Sequence, residues 1–298
     1  MRRLSVFFST LIRRLVYLAV TLLALHAILF MLFRFLPSGL GALFGWGSLD
    51  SRFREAMSNE LGLGGSYAGN LKSVLQFNFG YTLRGRFPVA PVLGHAVLRS
   101  LPLFAAIAVG ALAGPVAAAW SHVYQGMSAS PRKMRLNAGI VNLPPFVVAA
   151  AAYAAYHMLT RATDPALQVA TLWTAAMLAS ALFPFLVTHA LASRAAQILT
   201  AAQFFRSLRA MGLSHHELRN AILPMLFSAI RPAAARVAMS GMLSTAFVEL
   251  LFGIPGYGRL GLQALQDSDF SLMFGWVLTA AGVVLVFAEV ERWPFRRA

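Results

Sequence analysis

The chain lacks cysteine altogether, and it has few acidic residues and few charges of either sign. The absence of thiols excludes disulfide bonds, thiol catalysis and thiolate metal sites. Only 10 of the 298 residues are Asp or Glu, and charged residues make up 12% of the chain. That fraction is about half of what is usual in a soluble domain. The shortage of charge therefore argues against an ordinary water-soluble fold.

Apolar residues are abundant instead, at 58% of the chain, with a mean hydropathy of +0.67. A bilayer accommodates that much apolar surface, whereas the single core of a soluble protein does not. Because a spanning helix needs about 20 mostly apolar residues, the sequence predicts six spans. They cover residues 15–33, 101–120, 138–159, 169–192, 223–251 and 272–288. The predicted fold class is all-α, a polytopic membrane protein with six transmembrane helices.

Lys and Arg residues in the short loops predict the orientation of the spans. With the N-terminus inside, the two short outer loops hold only Arg161 and Arg259, and the other short segments hold the bulk of the basic residues. Both termini are therefore predicted to be cytoplasmic. The predicted division of the chain is a cytoplasmic N-terminus with the first span (1–34), an extracytoplasmic segment (35–100) and a five-helix core (101–298) that contains a cytoplasmic loop (193–222).

The sequence predicts neither a catalytic site nor a metal site. It contains no G-x-x-x-x-G-K-[ST] phosphate loop, no H-E-x-x-H and no G-x-S-x-G. His215 and His216 are adjacent, so they do not share one helix face as zinc ligands do. The net charge of +15 comes from dispersed loop residues with no nucleic-acid-reading module. We therefore predict a chain that is not an enzyme, binds no cofactor and binds no nucleic acid.

Residues 203–222 are typical of a helix, a glycine turn and a second helix. Apolar side chains recur there at i, i+4 and i+7: Phe204, Leu208 and Met211. Gly212 follows as a C-cap residue, and the S-x-x-E pattern of Ser214 and Glu217 is a capping box that starts the next helix. An exposed amphipathic helix docks either into the groove of a partner or against its own bundle. The periodicity leaves both alternatives open.

Three stretches, in the same order along the chain, carry a resemblance to a known family. Residues 78–81 (NFGY), with Pro88-Val89 and Leu101-Pro102, resemble a D-x-G-x-S…P-V…L-P region. Residues 209–214 (RAMGLS) and 216–224 (HELRNAILP) resemble an R-A-K-G-L-S…H-A-L-R-N-A-L-x-P loop. Residues 247–260 (FVELLFGIPGYGRL), followed by Asp269-Phe270, resemble V-E-x-x-F-x-x-P-G-x-G-x-L with a D-F pair. These are motifs of the permease subunits of bacterial binding-protein-dependent ABC importers, and the likeness is greatest to the dipeptide, oligopeptide and nickel subfamily.

The resemblance implies a type I (MetI-like) permease fold in the bacterial inner membrane and transport of peptides or similar small solutes by alternating access. It also implies the partners: a second permease subunit in a heterodimer, two cytoplasmic ATPase domains that hold Mg-ATP, and an extracytoplasmic solute-binding protein. The implied ATPase-docking residues are Phe204, Phe205, Arg206, Ser207, Leu208, Arg209, Ala210, Met211, Gly212, Ser214 and Glu217. Arg206-Ser207-Leu208 stand where the wider family has E-A-A, and fewer residues than usual separate the two halves of the loop.

The fifth predicted span contains charged residues that have two interpretations each. Glu249, just before Pro255-Gly256, is either a hydrogen-bond anchor or a residue of the transport pathway. Arg231 and Arg236 either extend to the membrane surface or line the pathway. We include Pro255 and Gly256 with these three as pathway or structural candidates.

Two other classes of protein remain as alternatives. A secondary transporter that is independent of ATP is expected to show internal symmetry, and we find none. It would also place acids or histidines near mid-membrane, where His26 and His189 are better explained as satisfied core residues. An intramembrane enzyme needs a nucleophile with a base, or metal ligands, on facing helices, and the His and Ser residues are scattered.

Overall fold

A computed structural model describes residues 2–35, 66–83, 85–124, 144–160, 165–201, 207–208, 210–267 and 269–292. Eight helices lie in this part of the chain. They are α1 (Arg2–Phe35), α2 (Tyr67–Leu75), α3 (Val89–Tyr124), α4 (Pro145–Leu159), α5 (Pro165–Ala201), α6 (His215–Leu251), α7 (Tyr257–Gln266) and α8 (Phe270–Arg292). No β-strand occurs among the described residues, where the extended pairing is a single isolated bridge between Tyr81 and Pro88. The predicted all-α class is confirmed.

Four helices carry apolar stretches long enough to cross a bilayer. These stretches are Ile12–Met31 in α1, Val89–Trp120 in α3, Val169–Leu199 in α5 and Pro232–Leu251 in α6. A shorter apolar stretch, Phe270–Leu285, lies in α8. They correspond to the first, second, fourth, fifth and sixth predicted spans.

The third predicted span corresponds only in part to a described helix. The part of it that the structure describes is α4, which has 15 residues, and residues 138–143 lie outside the described chain. The number of six spans therefore stays a prediction.

The described residues fall into two compact units. One is drawn from Met1–Val97 and Leu260–Glu289, and the other from Leu98–Arg259 and Val290–Ala298. In this grouping α8, up to Glu289, lies with α1 and α2. The predicted division into residues 1–34, 35–100 and 101–298 follows membrane topology and stays a prediction.

In the larger unit, α6 packs against α5 and α4, and α4 packs against α5. Their core contains Leu103, Ala149, Ala176 and Val248, all buried. Helices α3 and α5 approach closely at Gly114, where a Cβ would lie 2.7 Å from both the Phe185 carbonyl oxygen and the His189 nitrogen. Small residues allow such backbone approach between membrane helices without loss of packing.

In the other unit, a buried histidine ties α1 to the short helix α2. His26 is 2% exposed, and its Nε2 lies 2.9 Å from Asn70 Oδ1. Its Nδ1 lies 3.3 Å from the Tyr67 hydroxyl, and its ring meets that of Phe274 in α8 edge-on at 5.7 Å. His26 is thus a core histidine with satisfied ring nitrogens, as predicted.

A closed turn follows α2 and is fixed to the start of α8. The Thr82 N–H donates to the Phe87 carbonyl at 2.8 Å, and the Val89 N–H donates to that of Gly80 at 3.0 Å. Asp269 is 5% exposed, and its Oδ2 accepts from the Leu83 N–H at 2.7 Å. Its Oδ1 accepts from the Leu272 N–H at 3.0 Å, which caps α8.

Candidate functional sites at the two ends of helix α6

The predicted glycine turn lies between α5 and α6. Gly212 has a φ of +77°, in the left-handed region that favours glycine. The Met211 N–H donates to the Ser207 carbonyl at 3.0 Å, and the Leu213 N–H donates to the Leu208 carbonyl at 3.5 Å. The second bond is the six-to-one bond of a Schellman C-cap. The prediction that Gly212 ends a helix is confirmed.

The capping box at the start of α6 is also confirmed. The Glu217 N–H donates to Ser214 Oγ at 3.4 Å, and the Ser214 N–H donates to Glu217 Oε2 at 2.8 Å. The Ser214 hydroxyl donates to the same carboxylate oxygen at 2.7 Å. This hydroxyl, and after it the Ser214 N–H, lowers the pKa of Glu217, because both bonds favour the ionised carboxylate. The charged form also lies at the positive end of the α6 dipole.

The structure corrects the prediction of one apolar stripe. Leu208 packs against the buried cluster of Ala119, Ala196 and Leu218, whereas Met211 is 67% exposed. The two side chains diverge because the turn begins at Met211, where the helical periodicity ends. Leu208 therefore contacts the chain's own bundle, and Met211 is open to a partner.

The second helix predicted in the loop of residues 193–222 is present, and it continues without a break into the fifth predicted span as α6, from His215 to Leu251. Helix α5 continues past residue 192, where the fourth predicted span ends, to Ala201. Of the predicted docking residues that the structure describes, Leu208 is half-buried, and the exposed ones are Ser207, Ala210, Met211, Gly212, Ser214 and Glu217. Phe204, Phe205, Arg206 and Arg209 lie outside the described residues.

At the other end of α6, Glu249 is fully buried and forms hydrogen bonds through both carboxylate oxygens. Its Oε1 accepts from the Ser100 hydroxyl of α3 at 2.5 Å, and its Oε2 accepts from the Arg259 N–H at 2.8 Å. The Ser100 oxygen in turn accepts from the Tyr257 N–H at 2.7 Å. The carboxylate and the hydroxyl together thus bind donors in the first turn of α7, where a negative charge is favourable. We call these four residues the Glu249 junction.

Gly256 is part of this arrangement because no larger residue fits. A Cβ on Gly256 would collide with the Glu249 carboxyl group and lie 2.6 Å from Ser100 Oγ. Pro255, by contrast, is exposed. The Arg259 guanidinium donates from Nη1 to the Gly253 carbonyl at 2.9 Å and so closes the same turn. This geometry is that of a hydrogen-bond anchor between α3, α6 and the start of α7.

The two candidate sites are separated by the length of α6, and the arginines belong to neither. Glu217 and Glu249 are 32 residues apart on one continuous helix, about 48 Å of helix length. Arg236 is exposed, and its Nε donates to the Pro232 carbonyl at 3.3 Å. Arg236 lies about 20 Å along the helix from Glu249. Arg231 is on the same helix, and its side chain is outside the described set.

Sequence reasoning missed Ser100 in the Glu249 junction. A polar residue directly before the Leu101-Pro102 pair, at the start of an apolar run, was the only signal for it. Its pairing with Glu249 bridges 149 positions of the sequence. A buried acid predicts that a partner exists, but it does not indicate which residue that partner is.

The fold and the two sites define an all-helical, multi-pass membrane protein with no chemistry of its own in the sites described. A family model described as "Binding-protein-dependent transport system inner membrane component" matches residues 96–290, about two thirds of the chain. The chain belongs to this family, and it is an inner-membrane permease component of an ABC importer. A comparison with curated protein sequences found no significant match.

Proposed function

We propose that the chain is the channel-forming subunit of an ATP-driven importer that moves peptides or similar small solutes by alternating access. Partner ATPases would hold the Mg-ATP, a second permease subunit would complete the channel, and an extracytoplasmic binding protein would deliver the solute. The observation that carries the proposal is the exposed turn at Met211–Gly212 in a chain of this family. Peptides are proposed from the sequence resemblance alone.

The geometry supports a mechanical route between the ATPase and the membrane. The turn leads directly into α6, because the capping box starts that helix at His215. A displacement of the turn therefore acts on α6 directly. The other end of α6 is anchored to α3 and α7 through Glu249. Movement at the turn is thereby passed to helices in the membrane.

Orientation follows from the distribution of basic residues. If the turn binds cytoplasmic ATPases, then both termini are cytoplasmic and the Glu249 junction lies at the extracytoplasmic end of α6. The short loops predicted to be cytoplasmic contain most of the Lys and Arg residues, as the positive-inside rule requires.

The docking proposal is tested with two methionines that are similarly exposed. Met211 is 67% exposed at the turn, and Met158 is 74% exposed near the end of α4. Burial of the exposed part of Met211 in a partner groove contributes about 1–2 kcal/mol. Met211→Ser is therefore expected to weaken ATPase binding roughly 5–30-fold, whereas Met158→Ser leaves it unchanged.

The measurement is co-purification of the tagged chain from mild detergent with an ATPase that is identified by its Walker motifs, followed by titration of that ATPase. Gly212→Pro is a second variant, because proline fixes φ near −65° and does not adopt the observed +77°. Its expected effect is loss of ATPase binding or of stimulated hydrolysis. Equal affinities for wild type, Met211→Ser and Gly212→Pro would show that this turn is not the docking site.

The solute class needs a separate experiment. Uptake of labelled dipeptides and longer peptides into cells or proteoliposomes that contain the complete transporter should exceed uptake of matched free amino acids. ATP-dependent uptake of a chemically unrelated solute, without competition by peptides, would contradict the peptide proposal and leave the importer assignment intact.

A further inference from the structure

Exposed apolar side chains form a surface around the closed turn that follows α2. The side chains that are at least two-fifths exposed are Leu75, Phe77, Tyr81, Leu83 and Phe87. Phe77 and Leu75 are the most open, at 72% and 71% exposed. We call residues 75–88 the aromatic turn. Exposed apolar residues in such a group mark a surface that contacts a membrane or a partner.

The backbone holds Phe77 in this position under strain. The Asn78 N–H donates to the Ser73 carbonyl and the Phe77 N–H to that of Val74, both at 2.9 Å, which is the Schellman end of α2. Glycine usually occupies the left-handed position of this motif, yet here it is Phe77, with a φ of +57°. A bulky residue seldom adopts this conformation. Local folding does not require an aromatic ring there, so the ring points to a function outside the local structure.

Contacts within the same unit place the aromatic turn at the level of the membrane interface. The Leu83 N–H is bonded to Asp269, the residue that precedes α8. A Cβ on Gly275, about 9 Å further along α8, would lie 3.3 Å from Phe79 and 3.1 Å from Val89. Phe79 within the turn and Val89 just after it therefore lie beside the first turns of an apolar helix, not beyond its end.

The contact with α1 gives the same depth independently. His26 bonds to Asn70 of α2, and it lies five residues before the end of the apolar stretch Ile12–Met31. Helix α2 thus packs beside the last turns of that stretch. Two apolar helices, α1 and α8, fix α2 and the aromatic turn at one depth, where hydrocarbon gives way to headgroups.

The charge of the segment suits lipid headgroups. Residues 66–88 contain Lys72, Arg84 and Arg86 but no Asp or Glu. Lys72 and Arg86 are exposed. Aromatic side chains are enriched at membrane interfaces, and basic residues beside them attract anionic lipids. Charge and side-chain type therefore both favour a lipid surface over a cationic or neutral polar partner.

We propose that the aromatic turn is an interfacial lipid anchor: Leu75, Phe77 and Phe87 enter the headgroup–acyl boundary of the bilayer, and Lys72 and Arg86 bind anionic headgroups. The anchor fixes the depth of α2 and of the first turn of α3, which begins at Val89. It concerns neither the ATPase nor the solute, so it stands independently of the proposed transport function.

The absence of cysteine makes the test direct, because an introduced cysteine is the only labelling site in the sequence of this chain. Phe77→Cys and Phe87→Cys are labelled with an environment-sensitive fluorophore in the full chain, reconstituted with its copurifying partners in vesicles of phosphatidylethanolamine and phosphatidylglycerol. The same fluorophore on free cysteine in buffer is the aqueous reference, and Ile28→Cys, 62% exposed in the span of α1, is the lipid control.

The expected result is a blue-shifted emission at positions 77 and 87, quenched by lipids with a nitroxide near the headgroup and protected from aqueous iodide. The aqueous reference should show the reverse. Nitroxide-labelled phosphatidylglycerol should quench position 87 more than the phosphatidylcholine analogue does, and Arg86→Gln should reduce that preference about fivefold, the effect of one basic residue at the surface.

Two results would overturn the proposal. Iodide quenching at both 77 and 87 that approaches that of the aqueous reference, without quenching by lipid nitroxides, would place the turn in water. Protection from iodide and from lipid nitroxides together would show that a protein, such as a second permease or a solute-binding protein, covers this surface. Two labelled positions keep the test valid if one of the variants does not fold.

Discussion

Replacing Glu249 by alanine removes the acceptor at the centre of the junction between α3, α6 and α7. The Ser100 hydroxyl and the Arg259 N–H each lose their hydrogen bond to the carboxylate. Both donors would remain in a site where Glu249 itself is completely buried. The change therefore leaves polar groups without partners where water has little access.

The expected loss in the free energy of unfolding follows from the number of donors that lose their acceptor. A buried group left unpaired costs about 1–3 kcal/mol, so two donors predict a loss of about 2–6 kcal/mol in the free energy of unfolding. Glu249→Gln keeps one acceptor oxygen but turns an amide N–H₂ toward the other donor. Its expected loss is smaller, about 1–2 kcal/mol. Ser100→Ala is expected to fall between them, because it also leaves the Tyr257 N–H without its acceptor.

The assay is unfolding of the purified chain in mixed micelles, with SDS as denaturant and tryptophan fluorescence as the signal. The double variant Ser100→Ala/Glu249→Ala completes a thermodynamic cycle and should lose less than the sum of the two single variants. A pathway role predicts a different pattern. In that case Glu249→Ala loses transport, but its free energy of unfolding stays within about 0.5 kcal/mol of wild type, as for ordinary surface substitutions. That result would show that the anchor argument is wrong.

Three further predictions concern other contacts. Gly114→Ala should destabilise the protein by about 1–3 kcal/mol in the same unfolding assay, because its Cβ meets α5, whereas Gly94→Ala in the same helix meets nothing within 4 Å and should be neutral or stabilising. Asp269→Ala should cost about 1–3 kcal/mol and speed hydrogen exchange at Leu83, whose N–H loses its acceptor. Because the pKa of Glu217 is lowered in the fold, its cap is present above the usual carboxyl pKa and is lost as the pH falls through the lowered value. Exchange at the Ser214 amide, which donates to that carboxylate, should accelerate over that range in wild type but not in Glu217→Gln, once it is corrected for intrinsic rates.

Local features of the fold were predictable because their signals are local. The capping box and the C-cap at Gly212 depend on residues within one turn of each other, and both are present as predicted. Apolar stretches likewise mark membrane helices through composition alone. The bounds of the spans were less accurate: α5 continues past residue 192 to Ala201, and the second helix of the loop continues into the fifth predicted span as α6. A helix does not need to stop where its hydropathy falls, since its backbone bonds are satisfied internally.

The roles of individual side chains at the sites depended on the fold. Leu208 and Met211 looked equivalent in the apolar stripe, yet only Leu208 packs against Ala196 and Leu218. The turn at Gly212 changes the direction of the chain, so periodicity extrapolated through it fails. For Glu249, anchor and pathway were equally open from the sequence.

What the sequence determined by itself was the class of the protein: a chain of six predicted spans, without a phosphate-loop motif, whose ordered motifs resemble those of an importer permease. Hydropathy identifies the spans without a structure, because the bilayer requires about 20 mostly apolar residues in any helix that crosses it. Motif spacing is likewise read directly from the sequence. Only the tertiary structure decided that Ser100 is the partner of Glu249 and that Leu83 is the partner of Asp269, 186 positions away. Burial requires each carboxylate to find donors, but the packing of distant helices selects which donors come within reach.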